Sequence, residues 1–162
     1  MKKTSGRPTD EIERIVNTYG DMLYRICILM LQNESDVEDV VQETFIKYYQ
    51  KAPAFTDAEH EKAWLIRVAA NRCKDLLRFR LRHPQVDDET LAKITCETSD
   101  SGILEALLSL PEKYRLVLTL YYIEEYSVQE IAGIIGRTAS AVKMRLQKGR
   151  KLLEKVYRKE YL

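Results

Sequence analysis

The sequence predicts an all-α protein, and three observations lead there. Apolar residues recur at intervals of three and four along most of the chain, no stretch alternates apolar with polar long enough for a strand, and only six glycines interrupt the pattern. At 162 residues and 45% apolar content, the chain can bury one core of ordinary size or two small ones. The longest unbroken apolar run, residues 26–31, falls far short of the ~18 residues a membrane-spanning helix needs. No export signal opens the chain, so a cytoplasmic location is expected.

A first helix is expected over about residues 10–31, where Ile12, Ile15, Val16, Tyr19, Met22, Leu23, Ile26 and Met30 fall on one face. A second follows at once. Ser35 and Glu38 have the spacing of a capping box, Val37, Val40, Val41, Thr44, Phe45 and Tyr48 supply the inward stripe, and Pro53 closes the segment. A third helix is expected over about residues 59–81. Between residues 84 and 102 the periodicity fades and five acids face one lysine, the composition of a flexible acidic linker. Beyond it, Ile103, Leu104, Leu107 and Leu108 begin a short helix, and Pro111 suits the first turn of the next, which carries Tyr114, Val117, Leu118 and Tyr121 on one side. The expected organisation is two small helical bundles, residues 1–83 and 103–162, joined by residues 84–102.

The C-terminal bundle contains a helix-turn-helix pattern. Ser127 and Glu130 form a capping box, and Val128, Ile131, Ala132 and Ile135 follow at the spacing of a short buried helix. Gly136 permits a left-handed turn, and Thr138 can cap a last helix whose inner face is Val142, Leu146, Gly149, Leu153 and Val156. Ser140, Lys143, Met144, Gln147, Lys148 and Lys151 cluster on the opposite side, where a recognition helix meets the major groove. Nine basic residues and one acid lie between 137 and 159, a charge that draws phosphates, while Lys and Gln can read base edges. A solvated basic helix would explain the charge, but not the ordered sequence of capped helix, glycine turn and second amphipathic helix.

On the third helix Arg67, Asn71, Lys74, Arg78 and Arg82 share an arc of roughly 80°, with Trp64 at its edge. A basic track beside an aromatic ring suits single-stranded nucleic acid, and it equally describes the wet side of an amphipathic helix. The second helix is the reverse, with Glu34, Asp36, Glu38, Asp39 and Glu43 and no basic residue between 34 and 46. Such a face fits a basic protein surface or plain solubility. Enzymatic function has no support: the chain has no Gly-rich phosphate loop, no candidate nucleophile with an acid and base pair, and no metal pattern among Cys27, Cys73, Cys96, His60 and His83. No cofactor is expected.

Taken together these residues resemble the bacterial RNA polymerase sigma factors, the sigma-70 family, in its small extracytoplasmic-function (ECF) group. The run from Asp36 through Phe45 is similar to that family's region 2.2, the run from Ala63 through Asn71 to regions 2.3 and 2.4, and Leu110-Pro111-Glu112-Lys113-Tyr114-Arg115 to the opening of region 4. Glu130-Ile131-Ala132 and the stretch from Gly136 through Arg150 continue the likeness through the helix-turn-helix. Two positions depart from many members: Ala141 where they have Thr, and Gly149 where they have Ala.

The resemblance implies a dissociable specificity subunit of core RNA polymerase. Region 2.2, here Asp36, Asp39, Gln42 and Glu43, would dock on the clamp helices of the beta-prime subunit, and region 4 on the flap of the beta subunit. The promoter's minus-35 element would be read as duplex, with Lys143, Met144, Gln147 and Lys148 nearest bases and Arg137, Ser140 and Arg145 nearest phosphates. The minus-10 element would fall to region 2, through Trp64, Arg67, Lys74 and Arg78, with Asn71 beside the melted junction. A loop matching residues 52–61 would capture a flipped base, with Phe55 the pocket wall. An anti-sigma factor is the usual further partner. The alternative is a stand-alone dimeric helix-turn-helix transcription regulator that binds a palindrome without polymerase.

Overall fold

The computed structural model describes residues 8–83 and 101–161. Their helices are α1 (Thr9–Leu31), α2 (Glu34–Lys51), α3 (Ala58–Arg82), α4 (Ser101–Ser109), α5 (Glu112–Leu118), α6 (Val128–Ile135) and α7 (Ala139–Tyr161). Most of the linker expected at 84–102 lies outside the described residues, as does Cys96; its last two positions already belong to α4.

Local chemistry explains the boundaries. Gln32 takes a left-handed conformation, φ 56°, between α1 and α2. The cap of α2 is Asn33 rather than Ser35: its side chain accepts from the Asp36 amide at 3.0 Å, and Ser35 lies inside the first turn. Asn satisfies an orphan donor as well as Ser does, and it stands two residues earlier, where the chain leaves the left-handed turn. Asp57 caps α3, accepting from the His60 amide at 2.8 Å.

In the N-terminal bundle Ile15, Leu23, Ile26 and Met30 of α1 meet Val37, Val40 and Tyr48 of α2 and Leu65, Ile66, Ala69 and Cys73 of α3, all essentially inaccessible to water. In the C-terminal bundle Leu116, Val117, Leu120, Ile131, Ile134, Val142 and Leu146 do the same. Gly149 is buried too: a Cβ there would come within 3.1 Å of Leu118 Cδ1, so the small residue admits α5 against α7. Helix α5 runs into a π-helical turn, Thr119–Ile123. The wider turn rotates the side chains that follow, and Tyr121, expected on the inward side, is exposed with its ring edge-on to Tyr122.

The sequence left the mutual placement of the two bundles open; in the structure they pack directly and share one apolar cluster. Helix α1 lies against α5 and α3 against α6. Arg115, buried, donates to the carbonyls of Leu108 at 2.9 Å and Met30 at 3.0 Å, and Gln32 Nε2 donates to Leu108 at 3.1 Å. Arg25 forks onto Glu124 at 3.0 and 3.2 Å, and buried Tyr126 places its hydroxyl 3.9 Å from Met22 Sδ, with Lys62 Nζ 4.8 Å from its ring.

Candidate nucleic-acid interface

The helix-turn-helix is built as its sequence specifies. The Ser127 hydroxyl accepts from the Glu130 amide at 3.1 Å while the Glu130 carboxylate accepts from the Ser127 amide at 3.2 Å. Gly136 closes α6 at φ 69°, a conformation that side chains with a Cβ rarely adopt, and Thr138 Oγ1 accepts from the Ala141 amide at 3.1 Å to start α7. With Val142 and Leu146 buried, the opposite face of α7 stands outward: Arg137, Ser140, Lys143, Gln147 and Lys148 are exposed, and Arg145 is half-buried. Met144 is 67% exposed, which removes it from any core role and leaves an apolar contact among polar ones.

The basic stripe of α3 fares differently. Asn71, Arg78 and Arg82 are exposed, and Arg78 makes an exposed ion pair with Asp75 at 3.7 Å. Arg67 reaches the other bundle: its Nε donates to the Ile134 carbonyl at 3.0 Å and its Nη2 to that of Gly133. Lys74 is half-buried, and burial pulls its ammonium below the usual lysine range, with Arg145 and Arg137 adding repulsion and Glu112 opposing them. The stripe is therefore one surface only in part; its middle faces the helix-turn-helix.

Ahead of that stripe the aromatic residues gather. Phe55 stacks on Tyr48 with ring centres 6.0 Å apart and 15° between planes, and Trp64 stands edge-on to Tyr48 at 6.0 Å and to Phe55 at 5.9 Å. His60 is edge-on to Phe55 at 5.2 Å. Phe55 and Trp64 are half-buried, so the wall sits at the surface of the loop between α2 and α3.

On α2 the four acidic or amide positions separate. Asp36 pairs with Arg80 of α3, and Glu43 pairs with Arg72 of α3 at 2.7 Å. Asp39 and Gln42 are exposed, and Gln42 with Glu38 rims an apolar groove of about 610 Å³ between α1 and α2, walled by Val16, Tyr24, Val41, Phe45, Ile46 and Tyr49. A second groove, about 440 Å³, lies between Ile103 and Leu107 of α4, Leu118, Tyr122 and Ile123, and Leu153 and Tyr157 of α7, with Arg150 and Glu154 at its rim.

Residues 15–83 match the family described as sigma-70 region 2, and residues 101–153 that described as sigma-70, region 4. The ECF RNA polymerase sigma factor SigW of Bacillus subtilis is 31% identical over 98% of this chain and 95% of its own length. The chain belongs to the sigma-70 family, ECF group. SigM of Bacillus subtilis, likewise an ECF sigma factor, is 28% identical over 90% of this chain and 94% of its own. The fold is also that of two solved structures, one of them a sigma factor. RpoE of Bartonella quintana, in complex with the anti-sigma factor NepR, superposes with a TM-score of 0.77 at 22% identity, covering 94% of this chain and 99% of its own. CnrH, in complex with the cytosolic domain of CnrY, gives 0.75 at 24% identity, covering 98% and 94%.

As a sigma factor the chain binds core RNA polymerase and directs promoter-specific initiation of transcription. Among the described residues no helix is long and apolar enough to cross a membrane. Sequence reasoning missed both apolar grooves, although Ile46 and Tyr49 fall off the inward stripe of α2 and could have signalled the first. It also missed Arg115, an arginine buried between two carbonyls, for which helical spacing carries no signal.

Proposed function

We propose that this sigma factor divides its work by helix. The unit 1–83 docks on core polymerase through α2 and handles the minus-10 element through α3 and the loop before it. The unit 103–162 reads the minus-35 duplex through α7 and meets the beta-subunit flap at the groove walled by α4, Leu118, Tyr122 and α7. The observation that carries the docking assignment is the pairing of an apolar groove with exposed Asp39 and Gln42 on one ridge of α2. Apolar walls supply affinity and the acidic rim steers toward a basic partner. Asp36 and Glu43, already paired with α3, act more as supports of that ridge than as its contact points.

On α7, Lys143, Met144, Gln147 and Lys148 carry base contacts and Arg137, Ser140 and Arg145 phosphate contacts, which the exposure of all but Arg145 supports. Trp64, Arg67, Asn71, Lys74 and Arg78, with Phe55, serve the opened strand. Because Arg67 and Lys74 face the other bundle, engaging the minus-10 element requires the two bundles to part. Opening of DNA needs no hydrolysis by this chain, since contacts with the separated strand offset unpairing, about a few kcal/mol for a flipped base. The chemistry of RNA synthesis belongs to the polymerase, and the chain works in the cytoplasm as a non-enzymatic subunit. An anti-sigma partner completes the reading, supported by the similar sigma factor RpoE having been solved with the anti-sigma factor NepR. The dimeric-regulator alternative is not favoured, because both halves match sigma-70 regions.

The test is assembly with core polymerase followed by transcription from a genomic fragment library. The expected result is a stable complex that selects a small set of start sites, with Asp39→Lys combined with Gln42→Lys disrupting the complex. An intact complex for that double variant would remove the docking assignment.

A further inference from the structure

One buried carboxylate has no part in docking or duplex reading. Glu61, in the first turn of α3, is 7% exposed. Arg14 of α1 donates to it at 3.3 to 3.5 Å, the Tyr19 hydroxyl of α1 at 3.3 Å, and the Tyr48 hydroxyl of α2 at 2.9 Å. Glu11 Oε1 lies 3.1 Å from that same Tyr48 oxygen. Three helices thus converge on one side chain. Taking a carboxylate out of water is costly until its partners repay it, and a well-packed apolar side chain could serve the packing at least as well. What an apolar residue could not do is fix the phenol of Tyr48.

That phenol belongs to the ring on which the aromatic wall rests. Tyr48 is fully buried, Phe55 stacks on it nearly parallel, and Trp64 braces both from the side. Stacking of an unpaired base on an aromatic ring contributes affinity in full only when the ring plane is held before the base arrives. We infer that Glu61 is the positioning residue of this wall: by holding the Tyr48 hydroxyl it fixes the planes of Phe55 and Trp64 against which an unpaired promoter base stacks. The inference rests on the reading that Phe55 and Trp64 receive that base. Glu61 itself touches no DNA.

The experiment uses the complex of this chain with core polymerase and, as probe, the fork-junction DNA that the wild-type complex selects from a randomised pool. Glu61→Gln keeps the shape and removes the charge; Tyr48→Phe keeps the ring and removes the hydroxyl. Each is expected to weaken fork-junction binding about tenfold, the double variant no more than either alone, while affinity for core and for the fully paired minus-35 site stays within about twofold. Trp64 is the single tryptophan, so its fluorescence anisotropy in the free chain reports ring freedom directly and should fall in both variants. Additive losses, an equal loss of core affinity, or unchanged fork binding would each overturn the positioning role. Phe55→Ala separates the two layers. If it leaves fork binding intact, the base-capture reading fails and this inference with it; if it weakens fork binding while Glu61→Gln and Tyr48→Phe do not, only the inference fails.

Discussion

Arg67 Nε donates to the carbonyl of Ile134 at 3.0 Å while its Nη2 donates to that of Gly133, so a guanidinium of α3 closes the C-terminal end of the first helix of the helix-turn-helix. The last carbonyls of a helix lack intrahelical donors and carry the negative end of its dipole, which makes a cation a favourable cap. Arg67→Ala removes that cap. At about 1–2 kcal/mol, the low end for charged hydrogen bonds because the side chain is exposed, the loss shifts the population toward separated bundles some five- to thirtyfold. Small-angle scattering of the free chain should show a larger radius of gyration; an unchanged radius would mean that the buried contacts of Arg115 and Tyr126 hold the bundles unaided.

Lys74 gives the same interface a dependence on pH. Its depressed titration, caused first by burial and then by Arg145 and Arg137 against the pull of Glu112, means that the closed form releases the proton before an open, solvated form would. Between the depressed value and the ordinary lysine value the open form binds more protons, so closure strengthens as pH rises through that window. Scattering at pH 7 to 10 should show compaction. Lys74→Met should be more compact at pH 7 and lose the pH response.

Gly149→Ala tests the close approach of α5 to α7. Helix propensity favours alanine by about 1 kcal/mol, but the new Cβ would stand 3.1 Å from Leu118 Cδ1 with Tyr114 Cβ at 3.5 Å behind it, and overpacking costs about 1–3 kcal/mol. The net expectation is a loss of about 1 kcal/mol by denaturant titration. Leu118→Val in the same chain should restore part of it.

Met144 and Lys148 separate base reading from phosphate attraction. Lys148→Ala should weaken minus-35 duplex binding and change base preference there, whereas loss of equal size on every duplex, with a salt slope lower by about one, would assign it to phosphate. Met144→Ala should leave the salt slope unchanged and alter preference alone, since the side chain carries no charge.

Much of this was legible in the chain. Helix boundaries fell within a residue or two for α1 and α3, because their apolar spacing and flanking caps are local. The capping box at Ser127 and the turn at Gly136 were readable for the same reason. Local signals failed at the start of α2, where Asn33 caps in place of the expected Ser35, and where a π turn changed the register ahead of Tyr121. The charged stripe of α3 was readable as a stripe, but which of its members face solvent depends on contacts between residues 67 and 134, which no periodicity reports. Glu61 was invisible for a related reason: three donors from two other helices define it, and its own neighbours in sequence look like an ordinary first turn.

Arg115, seated between the Leu108 and Met30 carbonyls, ties the fates of the two halves. Heat or denaturant acting on either half should register in both, giving a single calorimetric peak in place of two. A substitution deep beneath the strand-holding half could then surface as a fault in minus-35 reading by the other half, with neither contact surface altered.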